Sequence, residues 1–215
     1  AADIDSFTPP HAARALRGSL DYIPALWAKD GDVVLVDDAP HARRAFTRVS
    51  QQVAKYRPWH EPEVKFVEEC DLHNIHVDSI DPWGWDRSLS YSLRRRGVDE
   101  RLLPDADTLR QVRDESHRRT AKQLLGHVGI SEAFECSTLN DIHDLIYKYN
   151  KVVAKAPWSS SGRGIRFLND TLDEHTLGWL RNTIALQGSV MVEPLYNKVL
   201  DFGMEFQRCG DGTVA

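Results

Sequence analysis

Val152-Val153-Ala154-Lys155-Ala156-Pro157 runs directly into Trp158-Ser159-Ser160-Ser161-Gly162-Arg163-Gly164-Ile165. The first six residues read as a buried β-branched strand carrying one lysine. The next eight read as a small-residue loop that returns into a second strand, because Arg166 and Phe167 stand where a dinucleotide fingerprint would need a glycine at the head of a helix. A Walker loop is excluded as well, since no Gly-x-x-x-x-Gly-Lys-Ser/Thr run occurs. Gly and Ser let backbone N–H groups converge on one spot, and Lys155 and Arg163 add positive charge beside it. A polyphosphate is the natural guest. The same residues also satisfy an ordinary hairpin turn with an edge-strand lysine that discourages aggregation.

The flanks favour the first reading. Upstream, Asp107 to His127 reads as one helical stretch, with Leu109, Val112, Ala121, Leu124 and Leu125 recurring on one side and the basic string His117-Arg118-Arg119 inside it. Downstream, Val190 to Leu195 reads as a buried strand that turns at Pro194, followed by a strand from Val199 to Phe206 containing Asp201 and Glu205.

With these elements in this order, the chain resembles the ATP-grasp superfamily, and within it bacterial proteins with a Trp-Gly-Trp segment ahead of the nucleotide domain. The resemblance covers nearly all 215 residues. It is carried by Ser116 to Lys122, Val153 to Pro157, Ser159 to Ile165 and Val192 to Leu195, and further forward by Phe7 to Arg14 and Asp81-Pro82-Trp83-Gly84-Trp85-Asp86. It implies an α/β fold: a pre-ATP-grasp parallel sheet flanked by helices over 1–103, then the first part of an ATP-grasp domain over 104–215. It also implies roles. Arg118 would contact phosphate, and Lys155 would bridge the α-phosphate and the adenine edge. Ser159, Ser160, Ser161, Gly162, Arg163 and Gly164 would form a mobile lid over the β- and γ-phosphates. Glu193, Pro194 and Leu195 would be the hinge that reads adenine, and Asp201 would hold the ribose hydroxyls.

The implied cofactors are ATP and Mg2+. The implied activity is that of an ATP-dependent carboxylate–amine ligase working through an acyl phosphate on a small-molecule or peptide carboxylate; a nucleotide-binding module without catalysis is the alternative. The family draws its metal carboxylates from the second half of the nucleotide domain, beyond Ala215. The sequence, which opens Ala1-Ala2-Asp3 without methionine, is therefore expected to be a fragment, or a relative without a metal site, and to be inactive alone.

Composition sets the remaining bounds. A hydrophobic fraction of 41%, a charged fraction of 27% and a net charge of -5 describe a globular chain without the basic footprint of general nucleic-acid binding. No run approaches the ~18 apolar residues of a membrane span, and the start lacks a signal-peptide layout, so a cytoplasmic protein is expected. Cys70, Cys136 and Cys209 are too scattered for a disulfide framework and are expected to be buried, reduced thiols. Cys70, His73 and His76 lack a fourth ligand at finger-like spacing, and Leu72, Ile75 and Val77 among them suggest a strand instead.

The first half alternates. A helix after Pro9-Pro10 carries Ala13, Leu16, Leu20, Ile23 and Leu26; strands are expected at Asp32 to Val36, Val64 to Val67 and Ile75 to Ile80, with a helix from Ala39 to Tyr56. Parallel neighbours need such crossovers. Asp81 to Asp86 would then sit at the carboxyl end of a strand, where open α/β sheets collect ligands, with Trp83 and Trp85 as ligand contacts or packing anchors. A linker is expected near Leu102-Leu103-Pro104, ending in a helix cap at Asp105 to Asp107.

Overall fold

The computed structural model describes residues 5, 7–127, 129, 132–159, 162–200, 203 and 213. The chain divides into two compact units, Ala1–Glu115 and Ser116–Ala215, each with its own core. The division falls after the helix that follows Asp105, twelve residues beyond the expected boundary between 103 and 104. No helix among the described residues is long and apolar enough to cross a membrane.

In the first unit, strand β1 (Val33–Leu35) pairs in parallel with β2 (Lys65–Val67), with Val34 opposite Phe66. Helix α1 (His11–Leu20) precedes them, and α2 (Ala39–Val53) makes the crossover. Helix α2 starts where it does because Asp38 accepts the His41 N–H at 2.7 Å and Pro40 sits in the first turn, where it lacks no needed donor. Its buried residues Ala42, Ala45, Phe46 and Ser50 recur at helical spacing, and Phe46 meets Phe66 edge-on at 5.7 Å. Two short helices follow, α3 (Arg87–Arg95) and α4 (Ala106–Glu115).

The expected third strand at Ile75 to Ile80 does not form. Glu69–Asn74 is a 3-10 turn instead, and His76 to Ser79 are exposed with no neighbouring strand to take their backbone groups. Asp81 to Asp86 therefore follows no strand, and Trp83 is fully solvent-exposed rather than a packing anchor, while Trp85 is half-buried. Cys70 is exposed, which corrects the expectation of a buried thiol there.

The second unit is an antiparallel sheet in the order β3 (Phe134–Cys136), β6 (Val190–Pro194), β4 (Val152–Lys155), β5 (Ile165–Leu168). The expected single helix from Asp107 to His127 is broken. It ends at Glu115, and α5 (Arg118–Gly126) begins afresh because His117 has extended backbone and caps the new helix, its Nδ1 accepting the Arg119 N–H at 3.0 Å. Helix α6 (Leu139–Tyr149) opens on a capping box of Thr138 and Asp141, and α7 (Glu174–Gln187) closes at Gly188 in the left-handed conformation that glycine adopts without penalty.

Alternation along the strands sorts the sheet's two faces. Val152, Ala154, Leu168, Val190, Val192 and Cys136 pack with Ile142, Ile146 and Leu180 from α6 and α7 as the core. Val153, Lys155, Ile165, Phe167, Met191 and Glu193 belong to the other face. Val199 and Leu200, the start of the expected strand through Phe206, are exposed and outside any strand; Asp201 and Glu205 lie outside the described residues.

Candidate functional site

The second face of the sheet is laid out in rows. Lys155 lies opposite Ile165 on β5 and Met191 on β6; one row further from the loop, Val153 lies opposite Phe167 and Glu193. Rows on one face are two residues apart, roughly 7 Å. Lys155 Nζ reaches diagonally across to Glu193 Oε2 in a hydrogen-bonded ion pair, with side chains 24% and 32% exposed. Enough of the ammonium is open for a ligand to reach, since it carries three donors and one carboxylate oxygen satisfies one of them.

The loop between β4 and β5 continues the ladder by one step, the Ala156 N–H donating to the Gly164 carbonyl at 2.8 Å, before it opens. Gly164 has no room for a side chain: an added Cβ would stand 2.2 Å from Ser159 Oγ and 2.3 Å from Ser159 Cβ. Gly162 takes a φ of 71°, open to glycine at little cost. Ser159 folds back over the hairpin base, its hydroxyl donating to the Ala156 carbonyl at 3.3 Å. The lid envisaged over Ser159 to Gly164 is thus anchored at both of its ends. Arg163 is exposed on the arch, and Ser160 and Ser161 lie outside the described residues.

Arg118 provides that anchoring. Its Nε donates to the Ala156 carbonyl at 3.0 Å and its Nη2 to the Ser159 carbonyl at 2.9 Å and Ser159 Oγ at 3.2 Å, while its backbone N–H donates to the Pro157 carbonyl at 3.3 Å. The guanidinium, expected on phosphate, lies beneath the loop and braces its backbone. Trp158 is held from the other side, its N–H donating to Gln187 Oε1 at 3.1 Å.

At the hinge, Pro194 is buried and has no N–H, and the Leu195 N–H donates to the Lys151 carbonyl at 3.0 Å. The expected turn at Pro194 does not form, since β6 runs through Pro194 opposite Val152, and a purine edge approaching here meets no open N–H at Pro194 or Leu195. Leu195 itself is 41% exposed. Asp201 lies outside the described residues.

Two features escaped the sequence reading. Phe167 is 72% exposed on the Lys155 face, in the row of Glu193, and offers a ring to a flat ligand. Its signal was the simple alternation of β5, in which Leu168 turns to the core. The second is a polar cluster around Glu135, which lies opposite Met191 in the row of Lys155. His117 is buried, its ring edge-on to Trp158 at 4.6 Å and its Nε2 3.7 Å from Glu135 Oε1. The same oxygen accepts from Ser189 Oγ at 2.8 Å and Arg119 Nη1 at 3.3 Å. Since Nδ1 accepts from the Arg119 amide, the proton of the neutral ring belongs on Nε2, toward Glu135. His117, Arg118 and Arg119 sit together in sequence, yet only the start of α5 sends the first and third to Glu135 and the second to the loop.

No family model matches the chain, and no curated protein matches it. Among solved structures it is similar to the crystal structure of D-alanyl-alanine synthetase A from Vibrio cholerae O1 biovar eltor str. N16961, with 13% sequence identity and a TM-score of 0.43. The match covers 78% of this chain and 60% of that one, so the chain spans less than two thirds of that protein's length.

Proposed function

We propose that the second unit binds ATP on the Lys155 face of its sheet, and that the protein is an ATP-dependent ligase of the ATP-grasp kind. The carrying observation is a half-open lysine, fixed by Glu193, one step from a glycine loop whose base Arg118 braces. The phosphates would lie toward the loop, against Lys155 and Arg163. The base would lie one row away, with the Phe167 ring and Val153 beneath it. Charge-assisted donors at one end and an apolar surface at the other match a molecule that is anionic at one end and flat at the other.

When bound to such a ligase, ATP supplies the phosphoryl group that activates a substrate carboxylate as an acyl phosphate for capture by an amine. The residues described here orient and neutralise. Lys155 meets the phosphates, Glu193 holds Lys155 in place, and Arg163 adds charge from the exposed part of the loop. The described residues do not by themselves fit Mg2+. Among the described residues no group of three His, Cys, Asp or Glu side chains could hold a metal ion.

Calorimetry with Lys155→Ala tests the assignment. ATP affinity should fall by about 1.5–3 kcal/mol, the worth of a charge-assisted hydrogen bond, with the far-ultraviolet spectrum unchanged. Phe167→Ala should weaken ATP and adenosine to the same degree, whereas Lys155→Ala should weaken ATP more. A folded Lys155→Ala protein that binds ATP as tightly as the parent would remove the site.

A further inference from the structure

Helices α3 and α4 of the first unit enclose a cleft of about 420 Å³ whose wall is dominated by Arg87, Arg94, Arg110 and Arg113, with Asp5 as its one acidic lining residue. Four guanidinium groups around one small cleft repel each other unless anions lie among them. The chain itself supplies compensation. Asp5 Oδ1 takes the Nε and Nη2 of Arg87 at 2.9 and 2.7 Å, Glu100 takes Arg94 Nε at 3.0 Å, and Asp107 pairs with Arg110. A guanidinium has five N–H donors, and a carboxylate pair engages one or two of them. Donors therefore remain for a ligand even where a partner is already present.

A second observation points into the same cleft. Ser90, in the middle of α3, lines the cleft and is 2% exposed, and its hydroxyl has no hydrogen-bond partner. Its amide already donates to the Asp86 carbonyl at 3.1 Å, in the ordinary helical way. A buried hydroxyl without a partner is costly and rare in a folded protein, and it marks a position where an acceptor is wanted. Pro104, Leu109 and Tyr91 also line the cleft.

We propose that this cleft binds a phosphate-bearing small molecule, its dianion held by Arg94, Arg110 and Arg113 and reached by the Ser90 hydroxyl. A phosphate accepts from several guanidinium groups at once, so it suits four arginines better than a single carboxylate does. The cleft volume lies within the range of roughly 300–1,000 Å³ typical of small-molecule sites, and its apolar wall leaves room for an organic substituent. The site is independent of the ATP reading, because none of its residues belongs to the second unit.

Titration of the full chain with inorganic phosphate and with phenyl phosphate, followed by calorimetry and by amide NMR shifts in α3 and α4, tests the proposal. Saturable binding is expected. Tighter binding of phenyl phosphate assigns the occupant as a phosphate ester, and equal binding assigns it as free phosphate. The double variant Arg94→Gln, Arg110→Gln should weaken binding about tenfold or more, since each removes a charge-assisted donor. Ser90→Ala should weaken it severalfold while leaving thermal stability unchanged or raised, because it deletes an unpartnered hydroxyl; a hydroxyl with a merely structural role would instead lower stability. Lys155→Ala should leave phosphate binding intact. No saturable binding, binding indifferent to the arginine variants, or binding abolished by Lys155→Ala would each overturn the proposal.

Discussion

Arg118 shows how one residue's job depends on where its helix begins. Expected to contact phosphate, it bonds two carbonyls and a hydroxyl of the loop, so its removal should act through the loop's order. Arg118→Ala should raise amide exchange at Ala156 and Gly164 before any nucleotide is added, and Arg118→Lys should fail to restore protection because an ammonium cannot reproduce the fork across two carbonyls. Unchanged exchange in the alanine variant would show that the loop does not depend on these bonds. The cysteines give a second test at this scale. Burial pushes the Cys136 thiol up to about 11 from an ordinary value of 9.0, and its side chain is 1% exposed, whereas Cys70 is exposed. In the native protein at pH 8, Cys70 should alkylate and Cys136 should not. The unfolded chain releases the Cys136 proton near pH 9 and the folded chain only near 11, so the folded state carries the extra proton between them and stability should fall as pH rises through that window. A flat profile of stability between pH 9 and 11 would contradict the burial of this thiol.

The β4–loop–β5 hairpin is the element on which the nucleotide reading depends, and Gly164 is where its closure is tightest. Gly164→Ala places a methyl group against Ser159 and should destabilise the second unit by about 1–3 kcal/mol, the usual cost of overpacking. Ser159→Gly in the same chain removes both close atoms and should recover most of that loss, leaving only Ala156 Cβ at 3.1 Å to adjust. Denaturant unfolding of the single and double variants measures this; additive losses would mean that the two positions do not meet. This hairpin was legible from sequence because a β-branched run, a cluster of Gly and Ser and a second short apolar run are local signals. Its brace was not, because Arg118 reaches residues 38 and 41 positions away. The break at His117 was also hidden: Ser116-His117 contains neither Gly nor Pro, and the apolar spacing continues across it.

The two units carry separate cores, one around Phe46 and Phe66 and the other around Ile142 and Leu180. Phe46→Ala should cost about 3–5 kcal/mol and Leu180→Ala about 2–5 kcal/mol, each a core truncation that leaves a cavity. Amide exchange should show the first loss confined to residues 1–115 and the second to residues 116–215; a loss of protection shared equally by both would mean that the chain unfolds as one cooperative body. By itself the sequence determined what depends on neighbours along the chain: the α2 crossover between parallel β1 and β2, the strand–loop–strand around Lys155, and the lysine as the cation beside the loop. Alternation and turn chemistry act over a few residues, so they can be read without a fold. Tertiary structure alone decided that Ile75 to Ile80 has no strand to pair with and that Arg118 lies under the loop. It also placed Phe167 beside Glu193 across β4, and set four arginines and one buried hydroxyl around a single cleft. Each of these depends on which distant residues are brought within hydrogen-bonding or packing distance, and spacing along the chain carries no record of that.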